Sequence, residues 1–280
     1  MTDPRSQLSR ADIGQFQELA LALAGESRRM LRAVVTDGFE VKRKPDGSYV
    51  TSADLAVERS LRRMVQERFP AHGVIGEELP RHLPDSDFQW VFDPIDGTEE
   101  FVRRIPTFGT IIAMFYRDLP VVGVIDVPLL DDRVHAGFGL GTFRGDKRLR
   151  LDDIDASTPN RAVRLSMSSR MNFMHRRDHS AAFEAVTRTY PNHCVYRSCY
   201  NHLLAATGQA DIAIDMSNPI WDIAAARILT EEAGGAFRVV DEFRYEGERI
   251  YSCVFGRPAL VAQLAAVFTA AASGGVPANA

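Results

Sequence analysis

Two short apolar runs, "GVIG" at 73–76 and "WVF" at 90–92, are bounded by turn residues, and each leads straight into acids: Glu77-Glu78 after the first, Asp93 after the second. Runs this short, without polar alternation, are expected of central strands covered on both faces, so the chain must build layers on either side of a sheet. From Thr107 to Gly139, "TFGTIIAMFYRDLPVVGVIDVPLLDDRVHAGFG" offers three more strand-like runs separated by "RDLP" and "PLLDD", the pattern of a meander. With 280 residues, one or two domains of this kind are expected.

Helical segments flank these strands. Apolar residues recur at three and four positions from Gln15 to Val35, which predicts a long amphipathic helix. "EVKRKPDGSYVTS", Glu40 to Ser52, carries an Asp46-Gly47 turn signal and reads as a β-hairpin, with helix resuming over 53–69. After a basic strand "KRLRL" and a polar linker near 152–161, the second half alternates strand and helix. Strands are expected near 163–167, 193–197, 211–215, 236–239 and 250–254, and helices over 177–189, 199–207, 220–233 and 257–271. The tail "ASGGVPANA" is expected to fray. These elements divide the chain into an N-terminal half, 1–152, and a C-terminal half, 153–280.

The formal charge of −4 comes without a long run of one sign, which excludes nucleic acid and anionic membranes as expected partners while leaving room for a small bound anion. No apolar stretch approaches the roughly 18 residues of a membrane span, and the polar N-terminus has no signal-peptide character, so a cytoplasmic protein is expected. Cys194, Cys199 and Cys253 are odd in number and lack a CxxC pairing; buried free thiols are expected.

The chemistry centres on "DPIDGT", 93–98. Asp93 falls at the end of a buried strand, where ligand sites of open α/β sheets gather, and Pro94 stops that strand from simply continuing. Asp96 comes round to the same side, and Gly97-Thr98 open a helical turn whose free amides suit an anion. Two close carboxylates repel unless a cation lies between them. Oxygen donors without histidine or thiolate select magnesium or manganese over zinc, and a magnesium site of few carboxylates shares its other positions with water and phosphate. Taken alone, "DPIDG" is a surface turn. Acids at two further element ends, Glu77-Glu78 after "GVIG" and Asp222 in "IWDIAAARILTEEAGG", favour a shared metal site.

Other motifs carry less. "GFGLG", 137–141, lacks GxGxxG spacing and reads as a tight turn; His175 and His179 in "HRRDH" lack the glutamate of HExxH and read as a solvated helix start; no GxSxG or Walker-type GK[ST] occurs.

"GEE" at 76–78, "DPIDGT" at 93–98 and "WDIAA" at 221–225, in that order, resemble the motif set of the inositol monophosphatase superfamily of magnesium-dependent phosphatases, with weaker support from "VTSAD" and "GQAD". The resemblance covers roughly Gln15 to Phe268. It implies an αβαβα sandwich of the inositol monophosphatase and fructose-1,6-bisphosphatase type. It implies that Glu77, Asp93, Asp96, Asp222 and the Ile95 carbonyl hold metal, and that the Gly97 and Thr98 amides hold phosphate. Thr98 and Asp54 would polarise the attacking water, with Glu77 as base, although an acid at Asp54, in the first turn of a helix, is also favoured by the helix dipole alone. Two or three magnesium ions, manganese as a substitute, lithium as an inhibitor, a homodimer and a small phosphorylated metabolite as substrate are likewise implied.

Asp215, seven residues before Asp222, is expected to read substrate hydroxyl or amino groups, with a strand-end turn acid as the plainer explanation. Ser168, Arg197 and Ser198 occupy the corresponding substrate-side segments. "FVRRIPTFGTIIAM" followed by "PVVGVIDVPLLDDR" resembles the histidinol-phosphatase branch. That branch often carries Gly-Asp before "CY", where this chain has Arg197-Ser198; an acid for the histidinol amine would then come from Asp215, whereas an arginine suits a second anionic group. L-histidinol phosphate ranks first, inositol 1-phosphate second, sugar or nucleotide bisphosphates after these. An inactive scaffold that binds metal and phosphate is the alternative of a different class.

Overall fold

A computed structural model describes residues 3–155 and 158–272. Residues 156–157 of the polar linker and all but the first residue of the C-terminal tail lie outside the described residues. In chain order the elements are α1 (Arg10–Asp37), β1 (Val41–Arg43), β2 (Tyr49–Thr51), α2 (Ser52–Arg68), β3 (Gly73–Gly76), β4 (Phe88–Asp96), α3 (Thr98–Val102), β5 (Gly109–Tyr116), β6 (Leu119–Val127), β7 (Asp132–Gly137), β8 (Gly141–Arg144) and β9 (Lys147–Arg148). There follow β10 (Leu165–Met167), α4 (Arg170–Met174), α5 (Ser180–Thr189), β11 (His193–Val195), α6 (Tyr200–Ala206), β12 (Ile212–Asn218), α7 (Ile220–Ile223), α8 (Ala226–Glu232), β13 (Ala236–Tyr245), β14 (Glu248–Gly256) and α9 (Pro258–Ala272).

The first sheet runs β3-β4-β5-β6-β7-β8-β9, parallel only between β3 and β4. The second runs β11-β10-β12-β14-β13, parallel only on either side of β10. Strand alternation sorts each sheet's side chains between two cores. On β4 and β5, Trp90, Phe92, Ile112 and Met114 face α1 and α2, while Val91, Ile111 and Ala113 face α6, α7 and α8. The inner face of the second sheet, with Ala213, Cys253 and Phe255, meets α6, α7 and α8 from the other side. Its outer face, with Ile212, Ile214 and Val254, is covered by α4, α5 and α9. The layers are therefore αβαβα, and helices cover both faces of both sheets over their central strands, as the uninterrupted apolar runs require.

Local signals set the helix starts. Ser9 and Asp12 cap α1 reciprocally, and Thr51 and Asp54 do the same for α2, each arrangement contributing about 1 kcal/mol. "GFGLG" forms the turn from β7 to β8, its Gly139 and Gly141 amides donating to Glu232.

Several elements differ from expectation. The helix expected over 220–233 is two, meeting at Ala224-Ala225; both residues keep right-handed helical angles, so no local breaker is at work. The parts pack on different strands, α7 on β4 and β5, α8 on β6 and β7. Helix does not begin at 177: "HRRDH" joins α4 to α5, its His175, Arg177 and Asp178 exposed as expected, while Arg177 and the largely covered His179 are tied to Asp241. The strands expected at 236–239 and 250–254 extend into one long hairpin through Glu246 and Gly247, both at positive φ, as in a type I′ turn. Of "KRLRL", Lys147 and Arg148 form β9 and Leu149 still donates its amide to Thr142 of β8, after which Leu151 turns away to donate its amide to Ala233. Cys194 is exposed on edge strand β11, whereas Cys199 and Cys253 are buried; all three are free. Among the described residues no helix is long and apolar enough to cross a membrane.

Candidate active site

Asp93 and Asp96 reach one side of β4 because the strand slips register there: Asp93 opposes Ile111 and Asp96 opposes Gly109 on β5, so three steps on one strand match two on the other. Two contacts fix the irregular segment. Thr110 Oγ1 donates to Pro94 O at 2.8 Å, and Ile95 N donates to Asp93 Oδ1 at 2.9 Å. From the C-terminal half, α7 packs across the ends of β4 and β5 and delivers Asp222. One oxygen each of Asp93, Asp96 and Asp222 lies within 4.8 Å of the others.

Burial raises Asp93 well above the usual carboxylate range, helped by the charges of Glu77, Asp96 and Asp222. Asp96 is pushed up to about 7 by burial, against the opposing pull of His202 and of the Cys199 amide that donates to its Oδ2. Asp222 is likewise raised, by burial and then by Asp96 and Glu77. Three mutually repelling, oxygen-only donors in one cluster, Asp93 buried and Asp96 and Asp222 partly so, fit a hard divalent cation, which relieves the repulsion where protonation otherwise would.

Glu77 stands beside this triad. Its Oε1 accepts from Lys44 Nζ at 2.7 Å, and the same ammonium donates to Glu78 Oε1 at 2.8 Å. Burial, opposed by the two carboxylates, leaves the Lys44 ammonium pKa raised. The Glu78 carboxyl is almost wholly buried and pushed up to about 7 by burial and by Glu77. Beneath the pair, fully buried Glu58 accepts the Glu78 and Leu79 amides, at 2.8 and 3.2 Å. Lys44 and Glu58 were not singled out in the sequence; the hairpin placing Lys44 opposite Glu77 was visible, but the pairing depends on how it folds over.

Asp54 does two things at once. Its Oδ2 accepts from Thr51 N and Oγ1, both at 2.6 Å, closing the cap of α2, while buried Oδ1 has no partner. Burial pushes its carboxyl up to about 6. Thr98 Oγ1 donates to Ile95 O at 3.1 Å, so its hydroxyl is turned toward the strand end. Gly97 sits at φ 84°, and a Cβ there would lie 2.9 Å from Ser198 Cβ, so both backbone and space demand glycine.

The other expected contacts lie around this floor. Ser198 Oγ donates to Thr107 O at 2.5 Å, and Ser168 Oγ accepts the Met216 amide at 3.2 Å. Arg197 pairs with Glu99 at 2.7 Å, and Arg103 reaches the same carboxylate at 2.9 Å. Asp215 is nearly buried and pairs with His202, a residue not singled out in the sequence. A cavity of about 420 Å³, lined by Arg43, Glu77, Thr98, Glu99, Arg103 and Arg197 among others, opens over Glu77 and Thr98.

Residues 6–266 match the inositol monophosphatase family. The histidinol-phosphatase of Mycobacterium tuberculosis is 34% identical over 227 residues, covering 80% of this chain and 86% of that protein. The fructose-1,6-bisphosphatase/inositol-1-monophosphatase of Aquifex aeolicus is 26% identical over 210 residues, covering 72% of this chain and 76% of that one. The solved inositol monophosphatase from Anabaena superposes with a TM-score of 0.75 at 22% identity, covering 92% of this chain and 96% of that chain, a likeness of fold.

Proposed function

The chain belongs to the inositol monophosphatase family and is a phosphatase, and from that premise we propose that it is a magnesium-dependent phosphomonoesterase acting on L-histidinol phosphate. The observation that carries the reading is the convergence of Asp93, Asp96 and Asp222 within 4.8 Å. Those carboxylates, with Glu77 and the Ile95 carbonyl, would hold magnesium. When bound, the ion neutralises the acids and the phosphoryl group and lowers the pKa of water.

The chain's own groups do the rest. Glu77 takes the proton of the attacking water. The Thr98 hydroxyl and the unpartnered Asp54 Oδ1 orient that water, and Asp54, pushed up to about 6, is poised to share a proton near neutrality. The Gly97 and Thr98 amides hold phosphate oxygens. Water oxygen bonds to phosphorus, the ester P–O bond breaks, and the leaving alcohol takes a proton. Asp215, Ser168 and Ser198 meet the organic part.

Histidinol phosphate is favoured by the relative of that activity at 34% identity and by Asp215, an acid that can meet a cationic amine. A second reading, a bisphosphate, is favoured by Arg197 and Arg103, two cations that share the single carboxylate of Glu99 at the cavity rim. Phosphate release with and without magnesium, compared across histidinol phosphate, inositol 1-phosphate, fructose 1,6-bisphosphate and adenosine 3′,5′-bisphosphate, tests both. Dominant magnesium-dependent turnover of histidinol phosphate is expected. Preference for a bisphosphate would move the assignment to Arg197, and no turnover of any ester would leave a phosphate-binding scaffold.

A further inference from the structure

On the inner face of the second sheet, α6 presents His202 to β12. His202 Nε2 lies 2.5 Å from Asp215 Oδ2; an ionised carboxylate only accepts, so Nε2 donates. The imidazole side chain is 2% exposed, its Nδ1 has no partner, and Phe255 meets it edge-on at 5.2 Å. The ring is thus held by packing, and its one polar contact among the described residues is Asp215. The neighbouring Asn201 locks the helix that carries it: Asn201 Nδ2 donates to Ile214 O at 3.2 Å, and its Oδ1 accepts from Ser166 Oγ.

Asp215 is the more open member, with 13% of its side chain exposed. Its Oδ1 accepts the Met216 amide at 3.0 Å. Two of a carboxylate's roughly four acceptor positions are therefore filled, and the others are free for a ligand. The strand slips register just after Asp215, between Asp215 and Asn218, where Ser217 adopts φ 63°, so backbone regularity does not aim this side chain. Its charge acts on both Asp96 and Asp222, so the carboxylate lies in the neighbourhood of the acidic triad.

We propose that His202 is a positioning residue for substrate selection: it holds Asp215 so that the carboxylate's free acceptors meet a hydroxyl or ammonium donor on the group from which phosphate is removed. The inference rests on the phosphatase reading above. It requires that losing the His202 contact harm esters whose leaving group carries such a donor, and spare the difference for esters that lack one.

The test compares kcat and KM of the full-length, magnesium-loaded protein on two esters: histidinol phosphate, rich in donors, and p-nitrophenyl phosphate, whose leaving group has none. His202→Phe keeps an aromatic ring against Phe255 but cannot donate. The ratio of kcat/KM between the two esters should fall roughly tenfold, mainly through KM for histidinol phosphate, the loss expected for one charge-assisted hydrogen bond. His202→Gln, whose amide reaches where Nε2 stands, should restore the ratio; His202→Asn, too short to reach, should behave like His202→Phe. Asp215→Asn should lower the ratio as well, and the double variant with His202→Phe should be no worse than Asp215→Asn alone. The assignment falls if His202→Phe and His202→Asn slow both esters equally, or if the His202 and Asp215 effects add. Wild-type protein inactive on both esters would instead overturn the phosphatase reading, and this inference with it.

Discussion

Asp93→Asn separates charge from structure in the acidic triad. Asp93 is 2% exposed and its Oδ1 accepts the Ile95 amide, a bond that the asparagine Oδ1 keeps. Ligand oxygens within 4.8 Å repel by about 3.5 kcal/mol per pair of full charges at an effective dielectric near 20. Burial raises all three acids, so the cluster resists carrying its full charge, and relief of about 2–4 kcal/mol is expected from the substitution. In protein stripped of divalent ions by a chelator, the variant should therefore melt roughly 5–10 °C above the wild type. Magnesium should reverse the order. The wild type gains about 2.7 kcal/mol at a hundredfold excess over Kd, whereas the variant has lost a ligand charge and gains little. Thermal unfolding of both proteins at pH 8, in chelator and in magnesium, reads all four states. A variant less stable than wild type in chelator, or an equal magnesium shift in both, would refute the reasoning.

Two further outcomes follow from the same geometry. In chelator, wild-type stability should fall as pH rises from about 4 to 7. Asp54 and Asp96, pushed up to about 6 and about 7, keep protons that the unfolded chain releases near 3.8, so the unfolded state binds fewer protons throughout that window. Asp96 accounts for at most about 4 kcal/mol of the fall. Denaturant melts across this range, with calorimetric titration of magnesium showing affinity that rises over the same window, check it; a flat profile would sink it. Gly76→Ala would place a Cβ 2.3 Å from Glu58 Oε1, forcing a fully buried carboxylate off the Glu78 and Leu79 amides. A loss of about 2–4 kcal/mol and reduced phosphate release are expected although Gly76 offers no ligand, and an unchanged denaturant midpoint would show that Glu58 moves freely.

Much of the architecture was legible because burial leaves a local trace. The apolar runs at 73–76 and 90–92 read as strands covered on both faces and the stretch 107–139 as a meander, and the acids at the ends of the first two marked a rim. The misreadings were of two kinds. The β13–β14 hairpin was cut short because its residues from Arg238 to Glu248 are largely exposed and carry no apolar run. The helix 220–233 was read as one because its kink has no local cause and comes from docking on two pairs of strands.

What the sequence determined by itself was the set of oxygen donors, their order and the kind of element that presents them: Asp93 and Asp96 around a proline, Glu77 after a strand, Asp222 near the start of a helix. Only the tertiary structure decided which of them meet. Asp222 joins Asp93 and Asp96 from more than a hundred residues away, Lys44 settles between Glu77 and Glu78, and His202 takes hold of Asp215. Each of these contacts joins residues on different elements. Residue type fixes what a side chain can donate or accept, but its partner is set by how the layers pack, and a local pattern of residues does not record that.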